Sequence, residues 1–153
     1  MYDELQYFSL LNSPLNLVDP SGLSSVRFNA ITGTLVVYSG TGKALGTFSA
    51  SNNVDSRAPA GPAPAGIFAY VSHQAHTESN SSGQFGSNGN FVFDFPNGSG
   101  IGVHSCRAGQ CDKAGRCGYQ HATSGCIRTT DDATSLLNSL ELNDPLISIQ
   151  VVR

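Results

Sequence analysis

After residue 23 this chain is broken by glycine, proline and asparagine so often that almost no stretch can run as a long helix. Between the breaks lie short runs rich in β-branched and aromatic residues. Val26, Phe28 and Ile31 lead through Thr32-Gly33 into Thr34 to Tyr38, and Ser39-Gly40-Thr41-Gly42 turns into Ala44 to Phe48. Ile67 to Val71, Phe91 to Phe95, Gly100 to His104 and Leu146 to Val152 follow. Such runs suit a pleated, half-buried surface and predict strands, with Pro96-Asn97-Gly98 as a hairpin turn. Residues 51–65 (SNNVDSRAPAGPAPA) read as a kinked loop, and SHQAHTESNSSGQFGSNGN (72–90) as a long polar connection. One helix is predicted. Thr130 suits its N-cap, Asp131 and Asp132 suit the positive end of its dipole, and Ala133, Leu136, Leu137 and Leu140 form one apolar face. The expected fold class is mostly β with one main α-helix.

Composition narrows the function. The 153 residues suffice for one domain with its own core, and 8 Phe with 5 Tyr argue against disorder. Only 12% of residues are charged, where about a quarter is usual. With 17 Gly and 7 Pro, the surface is therefore built from small neutral polar groups. A net charge of −3 without a Lys/Arg run leaves nothing to hold a phosphate backbone, so no nucleic-acid partner is expected. No apolar run approaches the roughly 20 residues of a membrane span, and the first residues lack the pattern of a signal peptide. An exported role then requires a carrier.

The chemistry lies in GVHSCRAGQCDKAGRCGYQHATSGCIRTTDD. Cys126 sits in a glycine turn shortly before the helix, while His104 ends a predicted strand. A thiol needs a nearby base to be a nucleophile at neutral pH, and a turn can aim backbone N–H groups at a developing oxyanion. His121, five positions before Cys126, is a rival base. Cys106, Cys111 and Cys117 fill the interval of 22 positions between His104 and Cys126. With His121 they could bind zinc, though their spacing is wider than in a zinc knuckle; otherwise Cys106 or Cys111 pairs with Cys117 in a disulfide. No metal or other cofactor is expected. His73 and His76 read as structural or exposed. His76-Thr77-Glu78 matches half of a zinc deaminase signature whose Pro-Cys-x-x-Cys partner is missing.

The strand-end His104, the loop, and Thr123-Ser124-Gly125-Cys126-Ile127-Arg128 together resemble the signature of the L,D-transpeptidase (YkuD-type) family, which acts on peptidoglycan stem peptides. Pro64-Ala65-Gly66-Ile67-Phe68 is similar to that family's segment before a core strand. The resemblance implies a β-sandwich or barrel with Cys126 as nucleophile, His104 as base and later acid, and Ser105 orienting the imidazole. It implies an oxyanion hole from the N–H groups of Gly125 and Cys126, and Arg128 steadying the loop or engaging a substrate carboxylate. Thr123, Ser124 and His121 would lie along the substrate. Ser124 departs from the histidine common there, and the His-to-Cys interval is longer than usual.

Near the start, Pro14, Asp19, Pro20, Gly22 and Leu23 form P-x4-D-P-x-G-L, which resembles the end of the core domain in Rhs-repeat polymorphic toxins. That resemblance implies a cut after Leu23, with 1–23 the end of a carrier core and 24–153 the released toxin. The combined expectation is an antibacterial effector, secreted by its carrier, that cleaves or exchanges the end of tetrapeptide stems in the target periplasm. Its implied partners are those stems, the Rhs shell and secretion apparatus, and a cognate immunity protein. The alternatives are a Cys-His peptidase or amidase on another substrate, and a non-enzymatic cysteine-rich binding module.

Overall fold

In the first two strands, alternation of inward and outward side chains gives one face for the core. In β1 (Ser24–Asn29) Val26 and Phe28 are buried while Ser25, Arg27 and Asn29 are partly open, and in β2 (Thr34–Tyr38) Leu35 and Val37 point inward. The computed structural model describes residues 23–75, 85–106 and 111–153. Of the expectations above, Pro14, Asp19, Pro20 and Gly22 of the cleavage signal and His76-Thr77-Glu78 lie outside the described residues.

Six further strands follow: β3 (Ala44–Ser51), β4 (Gly66–Gln74), β5 (Asn90–Phe93), β6 (Gly102–His104), β7 (Ile127–Thr129) and β8 (Leu146–Val152). They close a barrel in the order β1-β2-β3-β7-β6-β5-β4-β8. Two contacts in it are parallel, β1 with β8 and β6 with β7. Phe28, Leu35, Phe91, Phe93, Ile127 and Ile149 meet in the core. The mostly β expectation holds, including the barrel.

β7 was not anticipated. Ser124 to Arg128 reads as a turn, yet Ile127–Thr129 is a strand between β6 and β3, with Thr129 Oγ1 donating to Ser49 O at 2.7 Å. Three residues are too few to show an alternation; their strand character comes from two neighbours far off in the chain.

The helix α1 (Asp131–Leu140) starts as predicted. Thr130 Oγ1 accepts from Ala133 N at 3.2 Å, and Asp131 and Asp132 occupy the first turn. Ala133 and Leu137 are fully buried, with Leu136 and Leu140 packed at the edge of the core. At its far end, Glu141 accepts from the Tyr70 hydroxyl and meets His73 Nδ1 at 3.0 Å. The other His73 nitrogen faces Asn88 O at 2.6 Å, and its ring stacks on Phe91. His73 is thus a structural tie between β4, α1 and the chain leading into β5. Among the described residues no helix is long and apolar enough to cross a membrane.

Leu137 joins helix and barrel, so Leu137→Ala should lower stability by about 2–5 kcal/mol, read as a reduced urea midpoint with an unchanged slope.

Candidate active site

The pairing of β6 with β7 determines which side chains meet. Val103 lies beside Ile127 and His104 beside Arg128. Val103 and Ile127 are fully buried. Alternation turns His104, Arg128 and Cys126 to the opposite face. One step back along the register, Gly102 N–H donates to Cys126 Sγ at 3.4 Å. Only glycine fits there, because a Cβ at 102 would stand 2.3 Å from both Asn90 Oδ1 and Phe91 O.

His104 is 2% exposed, and its Nδ1 lies 2.6 Å from the carbonyl oxygen of Ser105. A carbonyl only accepts, so Nδ1 carries the proton and Nε2 keeps the lone pair. Burial pushes the imidazole down to about 4, partly opposed by the Ser105 carbonyl and helped by Arg128. His104 is therefore neutral at neutral pH, with an unprotonated Nε2. Ser105 acts on it through its backbone, while its hydroxyl donates to Asp131 Oδ1 at 2.5 Å in the first turn of α1. Sequence reasoning gave Asp131 a dipole role and missed this anchor. The Phe85 ring stands edge-on to the imidazole at 5.0 Å.

Cys126 is 8% exposed. Burial pushes its thiol up, against the Gly102 N–H and the Arg128 charge, which favour thiolate. At rest, thiol and imidazole are thus both neutral.

Arg128 is 5% exposed, and its Nε and Nη1 are buried without a hydrogen-bond partner among the described residues. Burial lowers its basicity; Cys106, Cys126 and Asp112 oppose that.

The turn before Cys126 requires one correction. Gly125 N–H donates to Thr123 Oγ1 at 3.1 Å, and that hydroxyl donates to Cys126 O at 2.7 Å. The expected oxyanion donor at Gly125 is therefore occupied, and Thr123 is a brace within the turn. Gly125 has φ +136°, and a Cβ there would come within 2.9 Å of Ile101 Cδ1. Ser124 is exposed.

His121 is on a different wall. It lines a cavity of about 580 Å³ with Asp55, Asp112 and Arg116, its Nδ1 donating to Ala122 O at 2.8 Å. In the insertion Cys111 is bonded to Cys117, leaving Cys106 and Cys126 as free thiols. This selects one of the two pairings left open and removes two ligands from the zinc alternative. Asp112 holds the loop, accepting from Arg116 Nε and Ala122 N at 2.9 and 3.0 Å. Among the described residues no three His, Cys, Asp or Glu side chains converge to hold a metal.

Non-reducing peptide mapping should recover the Cys111–Cys117 crosslink with Cys106 and Cys126 alkylatable; a crosslink to Cys126 would contradict this geometry. The His104 ring should titrate near 4 by NMR, well below the usual 6.5 or so. Because the folded value is depressed, the unfolded chain takes up this proton first. Stability should fall as pH drops from about 6.5 towards 4, and less steeply in His104→Gln.

The matching family model is that of the L,D-transpeptidase catalytic domain (YkuD), over residues 17–149. Among solved structures, L,D-transpeptidase 1 of Mycobacterium tuberculosis is 21% identical, with TM-score 0.52 over 86% of this chain and 62% of that one. The L,D-transpeptidase of Mycobacterium smegmatis is 18% identical, with TM-score 0.54 over 86% and 59%. The helical cell shape determining protein Pgp2 of Campylobacter jejuni is 13% identical, with TM-score 0.60 over 86% and 48%. At these identities the likeness is one of fold, and the chain spans about three fifths or less of those three structures. No curated protein sequence matches. The family match runs from before β1 into β8 and takes in the thiol, the imidazole and the turn between them, so the chain belongs to the YkuD family of L,D-transpeptidase catalytic domains and is a cysteine enzyme of that type.

Proposed function

We propose that this domain is the toxin of an Rhs-type carrier and cleaves or exchanges the end of peptidoglycan tetrapeptide stems by acyl transfer at Cys126. The observation that carries the chemistry is the neutral His104, its Nδ1 committed to the Ser105 carbonyl, on the same face of the β6–β7 pair as the Cys126 thiol. As Sγ attacks the carbonyl of the third, diamino acid residue, the thiol proton passes to His104 Nε2. The C–N bond then breaks, the proton goes to the leaving amine, and D-alanine departs from a thioester. Water completes an L,D-carboxypeptidase reaction, a free D-amino acid completes an exchange, and a second stem completes a crosslink. Hydrolysis and exchange suit a toxin better, since both remove donors for crosslinking. Arg128, buried with Nε and Nη1 unbonded among the described residues, would hold a stem carboxylate.

The delivery reading rests on Pro14, Asp19, Pro20, Gly22 and Leu23, with release after Leu23 freeing residues 24–153. An action in the target periplasm is supported by the Cys111–Cys117 disulfide, which persists in oxidising compartments. A cognate immunity protein would protect the producer.

Residues 24–153 incubated with tetrapeptide muropeptides should release D-alanine, detected by mass spectrometry, and Cys126→Ala should abolish release. Turnover that survives this substitution would sink the reading; a product of another mass would favour the peptidase or amidase alternative.

A further inference from the structure

The side chain of Asn52, in the loop after β3, has all four of its hydrogen-bonding positions filled. Its Nδ2 donates to Gly125 O at 3.0 Å and to Cys126 O at 2.9 Å. Its Oδ1 accepts from Ala63 N at 2.7 Å and from Arg153 Nη1 at 3.1 Å. The two donors facing Oδ1 and the two acceptors facing Nδ2 allow only this orientation of the amide. Arg153 Nη1 also reaches Ala63 O at 2.9 Å, so the amide is held from behind.

The consequence falls on the other side of the turn. All peptide bonds among the described residues are trans, and in a trans peptide the C=O and the next N–H point in opposite directions. Pinning Gly125 O onto Asn52 therefore drives Cys126 N–H away from it. That N–H has no hydrogen-bond partner among the described residues, whereas Gly125 N–H is held by Thr123. One donor next to the thiol is left free, and its direction is set by Asn52.

We propose that Asn52 is a positioning residue for the oxyanion donor: its carboxamide fixes the 125–126 peptide so that Cys126 N–H meets the negative oxygen formed when Sγ adds to a carbonyl. The proposal rests on Cys126 acting as an acylated nucleophile. It does not require the stem peptide to be the substrate. The sequence places Asn52 in a Ser-Asn-Asn stretch that reads only as polar loop.

The test compares two small probes at Cys126. Acylation by p-nitrophenyl acetate passes through an oxyanion, with a S–C bond formed and p-nitrophenolate expelled. Alkylation by iodoacetamide displaces iodide at a saturated carbon and forms no oxyanion. In Asn52→Asp, which keeps the size but turns an acceptor onto two carbonyls, acylation should fall by about 10²-fold or more. Alkylation should stay within about twofold of the wild-type rate. Asn52→Ala should behave alike, so either variant suffices if the other does not fold. A parallel fall in both rates, a fall in alkylation alone, or no fall in acylation would each overturn the proposal. Release of D-alanine from stems is scored separately: its absence in the wild type counts against the proposed substrate, while the ratio of the two probe rates still decides the role of Asn52.

Discussion

Two strands of three residues each, lying parallel, hold this site together. Had β6 and β7 paired one residue out of register, His104 and Arg128 would have faced opposite sides and Val103 or Ile127 would have left the core. The fully buried Val103 and Ile127 prevent that slip. Core packing thus specifies the site's geometry from the opposite face of the same strands, and the glycine at 102 lets β6 approach β5 closely while its N–H turns to the Cys126 sulfur.

Burial then sets the chemistry. Removing water raises the thiol and lowers both the imidazole and the guanidinium, because each charged form is penalised in a medium of low dielectric. A neutral pair of thiol and imidazole suits a reaction in which the proton moves with bond formation. It also explains why the fixed dipoles matter, namely the Ser105 carbonyl, the Gly102 N–H and the Cys126 N–H. They are aligned before charge appears, at no cost in reorganisation. Behind them stand Asp131 on Ser105, and Thr123 with Asn52 on the turn.

The cysteine-bearing insertion is a separate device. Its disulfide and the hub at Asp112 shape a small hairpin, and the Asp112 bond to Ala122 N links it to the segment entering the Cys126 turn. His121 belongs to that hairpin's cavity. In the sequence His104 ends a predicted strand, whereas His121 is a rival base in a polar loop five positions before Cys126. What separates them is that one ends a strand paired with β7 and the other follows a 3₁₀ turn at Gly118–Gln120.

By itself the sequence determined the local matters: strands where β-branched and aromatic runs are cut by glycine, the helix from its Thr130 cap and leucine face, and Cys126 in a glycine turn before that helix. These depend on spacing, propensity and capping within about ten residues. Tertiary structure alone decided that Ile127–Thr129 is a strand and that Cys111, not Cys106, pairs with Cys117. It also decided that Gly125 N–H is occupied and that Asn52 grips the turn from 73 positions away. Each of these depends on a partner distant in the chain, and no local pattern encodes which distant carbonyl or strand will arrive.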